Sequence, residues 1–179
     1  MANLYIIRHC EAQGQAPDAP LTERGYRQAN ALAKLAALQQ VDRIVSSPYE
    51  RAYRTIQPLA ERIGQNIVTD DRLIERVLCG QDAPDWRDRL RRTYNEPELC
   101  YPGGESSSAA AARAMQVITE LVDQGYQRPA IVSHGNLISL LLRLWDVQFG
   151  FAEWETMSNP DVYRIDLDAA VPVIQRLPV

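Results

Sequence analysis

The chain has 179 residues, 46% of them hydrophobic and 23% charged, and carries a net charge of −4. That size and balance predict one globular domain whose core needs neither metal nor disulfide to fold. The charge argues against a general nucleic-acid or anionic-membrane surface, and no apolar run approaches the roughly 20 residues that cross a bilayer.

Leu4 to Arg8 reads as a buried strand. Thr22 can cap a helix over 23–38 whose inner face is Ala29, Leu32, Ala33 and Ala36. Arg43 to Ser46 is a second short apolar strand. The stretch SSPYE predicts a helix start, with Ser47 as N-cap, Pro48 at the first helical position and Glu50 completing a capping box. That helix runs to about Arg62 and stops near Gly64, and Asn66 to Thr69 reads as a third strand. Residues 70–105 are less regular, with Pro84, Pro97, Pro102 and Gly103-Gly104, but hold a helix within Asp85–Tyr94. Ser106 to Gln124 reads as a helix ended by Gly125, with Met115, Ile118, Leu121 and Val122 facing inward. Ala130–Ser133 is another buried strand and Asn136–Trp145 another helix. Val162–Leu167 and Val173–Leu177 close the chain as a hairpin or edge pair. No repeat, linker or shift in composition divides the chain, so a single domain over 1–179 is expected.

Alternating strands and helices imply a three-layer α/β/α sandwich around a mostly parallel sheet. In such sheets ligands bind beyond the carboxyl ends of the strands. Three strands here end in polar motifs: Arg8-His9, Ser46-Ser47-Pro48 with Arg51 following, and Ser133-His134-Gly135. If those strands are parallel, both histidines of the chain and two arginines share one rim. The arginine fork suits bidentate contact with phosphate or carboxylate, and helix N-termini add donors for an anion. An imidazole among them can attack phosphorus, provided that one ring nitrogen is unprotonated and the other donates to a carbonyl. Nearby arginines help by lowering the histidine pKa.

Three cysteines, Cys10, Cys79 and Cys100, stand in no metal-site spacing and suit reduced thiols in a cytosol. The N-terminus lacks the basic region and cleavage site of a signal peptide, so a cytoplasmic location is expected. With only two histidines, no metal site and no other cofactor is expected.

The ordered set of motifs, Arg8-His9, PLTERG at 20–25 with Gln28-Ala29, SSPYERAYRT at 46–55, GGES at 103–106 and SHGN at 133–136, resembles the histidine phosphatase superfamily, also called the phosphoglycerate-mutase-like family. The resemblance spans Leu4 to about Trp145. It implies His9 as the phosphorylated nucleophile, with Arg8, Arg51 and His134 clamping the phosphoryl oxygens and Gly135 and Asn136 beside the substrate. It also implies Glu75, in DDRLIER, as general acid and base. Two features depart from the family pattern. Cys10 stands where the family usually has glycine, whose backbone freedom cysteine lacks. Only eleven residues, Glu11 to Leu21, separate the first motif from Thr22, so the longer substrate-holding segment of true mutases is missing. Arg91-Arg92 faintly echoes the mutase lid arginines, but a solvated helix explains that pair equally well.

The expectation is therefore a metal-independent phosphatase that hydrolyses phosphate monoesters through a phosphohistidine on His9. A phosphoglycerate mutase is the runner-up. A weakly active phosphate-binding or regulatory domain, suggested by Cys10, is the reading from outside enzymology. The expected partner is a small phosphorylated substrate, with a phosphoprotein within the same chemistry.

Overall fold

Leu4, Tyr5, Ile6 and Ile7 are all buried, which a strand with alternating side chains allows only when both faces of its sheet are covered. The computed structural model describes residues 3–179, so the first two residues of the expected domain lie outside the described residues. Strand β1 (Asn3–Arg8) sits within a six-stranded sheet with β2 (Arg43–Ser46), β3 (Ile67–Thr69), β4 (Pro129–Ser133), β5 (Asp161–Asp166) and β6 (Val173–Leu177), in the order β3-β2-β4-β1-β5-β6. The neighbours β3, β2, β4 and β1 run parallel, whereas β5 runs antiparallel to β1 and β6 to β5. The expected closing pair is thus a hairpin with β6 at the edge.

Helices α1 (Glu23–Leu32) and α2 (Glu50–Ile63) cover one face, burying Leu32, Ala33, Ile56 and Leu59 against Tyr5, Ile7, Ile44 and Val132. The other face carries α3 (Trp86–Asn95), α4 (Ser107–Asp123), α5 (Gly135–Trp145) and α6 (Phe151–Glu155) over Leu4, Ile6, Val45 and Ile131. This is the expected three-layer sandwich. No helix among the described residues is long and apolar enough to cross a membrane.

Several local expectations are corrected. Helix α1 ends at Leu32 and gives way to a single 3₁₀ turn at Ala36–Leu38, which leaves Ala36 exposed and buries Leu38 instead. Ser47 caps no helix, and Pro48 lies before the helix. Helix α2 begins at Glu50 after an extended Tyr49, without a side-chain cap. Ser47 Oγ is engaged elsewhere, accepting from Tyr49 N at 3.3 Å and bonding a histidine of the rim. On α4, Val117 faces the core and Val122 is exposed, because the buried set Ala110, Ala114, Val117, Ile118 and Leu121 follows the helical period from Ala110. The short helix α6 has no counterpart among the expected elements.

Thr22 does cap α1, accepting from Gly25 N at 3.0 Å. The same cap docks the helix on the loop after β1: Thr22 N donates to the Glu11 carbonyl at 3.0 Å and Thr22 Oγ1 to Glu11 Oε1 at 2.8 Å. A Cβ at Gly25 would run into that carbonyl and, at 3.1 Å, into Leu21 Cβ. The PLTERG run therefore presses α1 against the segment that follows His9. We predict that Gly25→Ala destabilises the protein by about 1–3 kcal/mol, the usual cost of overpacking. Thermal unfolding checks this, and unchanged stability would mean that α1 is not held in that contact.

Candidate active site

The carboxyl ends of β1, β2 and β4 meet at one rim. Arg8 pairs in register with Ser133, His9 N donates to the Ser133 carbonyl at 3.1 Å, and Ser47 N donates to the Val132 carbonyl at 2.9 Å. This parallel edge brings together residues that are far apart in the chain. Arg8, His9, Glu75 and Gly135 line one cleft of about 130 Å³, together with Glu11, Gln15 and Asn159.

His9 is buried, and its ring is fixed from both sides. Nδ1 lies 2.7 Å from the Cys10 carbonyl, which can only accept, so Nδ1 carries the proton and Nε2 holds the lone pair. Arg51 Nε donates to that Nε2 at 3.3 Å. Burial pushes the His9 pKa down to about 4, and the charges of Arg51 and Arg8 push in the same direction against the opposing bond to Cys10. At neutral pH the imidazole is therefore uncharged, with one nitrogen unprotonated.

Arg51, at 1% exposure, is the largest fully buried side chain. Its Nη1 donates to the carbonyls of Gln15 (3.1 Å) and Ala16 (2.8 Å), and its guanidinium lies 4.9 Å from the centre of the Tyr49 ring. These contacts tie the short 10–20 segment to α2. His134 sits behind His9, with ring centres 5.1 Å apart. Its Nε2 is 2.8 Å from Ser47 Oγ, whereas Nδ1 is buried without a hydrogen-bond partner among the described residues. Burial, followed by the field of His9, Arg51 and Arg8, holds its pKa well below the ordinary value, so this ring too is neutral.

Glu75 is anchored at the N-terminus of α5. Its Oε2 accepts from Asn136 N at 3.1 Å, and its Oε1 accepts from Leu137 N and Arg76 N, both at 2.9 Å. The loop that carries it is held by two arginines the motifs did not single out. Arg113 donates to the carbonyls of Arg72 and Ile74 and pairs with Glu105 at 2.5 Å, while Arg76 donates to the Glu105 carbonyl and to Thr93 Oγ1. Glu105 thus has a structural partner, and Glu11 accepts from Thr22, which leaves Glu75 as the cleft carboxylate not engaged by another side chain.

Gly135 packs closely under Arg8: a Cβ there would stand 3.0 Å from Arg8 Cζ and 3.1 Å from Nε and Nη2, so the guanidinium would have to shift. The Asn136 side chain is turned away from the cleft, its amide donating to Tyr94 Oη at 3.0 Å. What Asn136 contributes to the rim is its backbone N–H. Arg91 and Arg92 do not line the cleft either. Arg91 lies over the Phe151 ring and pairs with Asp88, and Arg92 pairs with Glu96.

The concern over Cys10 has a structural answer. No described residue other than glycine has positive φ, so the position demands nothing that only glycine can adopt. The thiol is fully buried beside Leu21 and Ala29, and Cys10 N donates to Thr55 Oγ1 at 2.8 Å. Burial pushes its pKa up to about 12, so it is a poor nucleophile.

Residues 4–178 match a family model described as the histidine phosphatase superfamily (branch 1). The chain is 29% identical over 160 residues to a protein named "Probable phosphoglycerate mutase GpmB" from Cronobacter sakazakii, covering 79% of this chain and 74% of that one. Among solved structures it is similar to a mycobacterial glucosyl-3-phosphoglycerate phosphatase, with 26% identity, a TM-score of 0.78, and 98% of this chain and 97% of that chain covered. The fold is also shared with the alpha-ribazole phosphatase from Shigella flexneri, at 24% identity and a TM-score of 0.74, with 99% and 96% covered.

In protein free of anions, the His9 ring protons should titrate by NMR with a midpoint near 4; a midpoint near 6.5 would mean a solvated imidazole. Cys10→Gly should retain turnover while losing about 1–2 kcal/mol of stability to the cavity and the added backbone freedom. A hundredfold loss of activity in the folded variant would assign the thiol a part in the reaction.

Proposed function

The chain belongs to the histidine phosphatase superfamily (branch 1), and on that footing we propose that it hydrolyses small phosphate monoesters through a phosphohistidine on His9. The observation that carries this reading is the state of His9: buried, neutral, with Nδ1 committed to the Cys10 carbonyl and Nε2 facing Arg51. In the first step Nε2 attacks phosphorus, and the P–N bond forms as the ester P–O bond breaks. Glu75 supplies the proton to the departing oxygen. In the second step Glu75 takes a proton from water, whose oxygen attacks phosphorus. The P–N bond then breaks, inorganic phosphate leaves and the lone pair returns to Nε2.

The developing charge on the phosphoryl oxygens needs fixed cationic donors. Arg8 and Arg51 supply them, with His134 behind, so the proposed chemistry needs no metal. Arg51 Nε would pass from His9 Nε2 to a phosphoryl oxygen as substrate enters. A hydrolase rather than a mutase is supported by the short 10–20 segment, which Arg51 draws against the cleft, and by Arg91 and Arg92 being engaged with Asp88, Phe151 and Glu96. A structural relative named as a glucosyl-3-phosphoglycerate phosphatase supports a small phosphorylated metabolite as substrate. We read residues 1–179 as one catalytic domain, and its free thiols favour the cytoplasm.

Brief exposure to labelled phosphate ester followed by denaturation should trap acid-labile phosphate on the wild type and none on His9→Ala, whose turnover should vanish. Substantial turnover by folded His9→Ala would defeat the proposal. Glu75→Gln should slow the first turnover of an alkyl phosphate by about 10²–10⁴-fold, because an alkoxide leaves badly without a proton. The same variant should slow p-nitrophenyl phosphate far less, since nitrophenolate leaves unaided. Burst kinetics on both esters makes the comparison, and equal damage to the two would remove Glu75 from the acid role.

A further inference from the structure

Between α6 and β5 the chain runs beside the cleft as a strap, residues 156–160, and three polar groups of this strap meet the end of β1. Arg8 Nη1 donates to the carbonyl of Met157 at 2.9 Å and, more weakly, to that of Ser158 at 3.4 Å. Asn159 Nδ2 donates to the His9 carbonyl at 2.7 Å. The Asn159 carbonyl accepts from Gln28 Nε2 at 2.6 Å, and Gln28 Oε1 takes the Glu11 N–H at 3.0 Å. The run 8–11 is therefore gripped along its length by residues far away in sequence.

The strap is itself locked by an ion pair from the closing hairpin. Asp161 is 1% exposed and stands in cross-strand register with Arg8. Its Oδ2 accepts from Ser158 N at 3.2 Å and from Tyr163 Oη at 2.9 Å, and its Oδ1 accepts from Arg176 Nε at 2.8 Å. Arg176, on the edge strand β6, also donates through Nη2 to the Thr156 carbonyl at 3.2 Å and to Ser158 Oγ at 3.3 Å.

This lock has a consequence for the guanidinium of Arg8. The group is planar, so fixing Nη1 on the Met157 carbonyl fixes the whole fork. The opposite edge, Nε with Nη2, then lies against Gly135, where an added Cβ would stand 3.1 Å from both nitrogens. Nε is buried and has no hydrogen-bond partner among the described residues. That edge presents two parallel donors, the geometry that a phosphoryl group accepts. An arginine free to turn would have to be ordered at each binding event.

We propose that Asp161 and Arg176 are positioning residues for Arg8: by locking the 156–160 strap they hold Nη1 on Met157 and present the Nε–Nη2 edge to the phosphoryl oxygens. The inference rests on the phosphoryl-transfer reading of the cleft. The rival explanation is that the pair merely staples the C-terminal hairpin to the sheet.

A double-mutant cycle on anion affinity separates the two, because coupling between sites appears as non-additivity. Vanadate and inorganic phosphate would be titrated calorimetrically into wild type, Arg176→Ala, Asp161→Asn, Arg8→Ala and the double variant Arg8→Ala/Arg176→Ala. Loss of a lock that orients a charged hydrogen bond should weaken vanadate binding by about tenfold or more in the single positioning variants. In the Arg8→Ala background, Arg176→Ala should change nothing further, and Arg176→Lys should recover part of the loss in the Arg8 background. If Asp161→Asn fails to fold, the Arg176 cycle still decides, because Arg176 is partly exposed on an edge strand. Equal weakening in both backgrounds, or undiminished affinity in Arg176→Ala, would overturn the inference while leaving the phosphatase reading intact. A wild type with no affinity for either anion would instead overturn that reading, and the inference with it.

Discussion

The bond from His9 Nδ1 to the Cys10 carbonyl is the constraint on which the site depends. A carbonyl accepts and never donates, so this contact decides which ring nitrogen holds the proton. Burial then makes the charged form costly, and the flanking arginines add to the cost. The same arginines that would attract a phosphate thus keep its attacker neutral. Cys10 meets the ring through its backbone oxygen, while its side chain is buried away from it beside Leu21 and Ala29.

Everything around that bond holds the strand end still. The parallel edge sets Arg8 beside Ser133, and the cap of α1 presses on Glu11. Arg51 draws the 10–20 segment inward, and Arg113 with Arg76 fixes the loop that bears Glu75. Catalysis by charge stabilisation requires donors that are already in place when charge develops, since reorganising them then would add to the barrier. The number of arginines committed to backbone carbonyls in this site is consistent with that need.

Much of this was legible in the sequence because it is local or periodic. The buried runs that became β1, β2 and β4 carry their polar motifs directly at their ends, and strand–helix alternation implied that those ends share a rim. Thr22, Ser106 and Gly64 mark helix boundaries through backbone chemistry that needs no tertiary context. The misreadings arose where a tertiary partner outweighed a local preference. Ser47 has the residue type and spacing of a cap, yet its hydroxyl is bound to His134, 87 residues away. The Asn136 amide, which the resemblance implies beside the substrate, donates to the Tyr94 hydroxyl on a helix of the irregular segment. Arg76, Arg113, Asn159 and Asp161 carry no local signature, because their roles exist only through partners brought near by the sheet.

The central claim is that Nε2 of His9, and no other atom, receives the phosphoryl group. The most direct measurement is phosphorus–nitrogen and phosphorus–proton coupling by NMR on the ¹⁵N-histidine-labelled phosphoenzyme, trapped from wild-type protein under denaturing alkaline conditions. The account predicts a single phosphohistidine substituted at Nε2, assigned to His9. Phosphate on Nδ1, on His134 or on a carboxylate would contradict it.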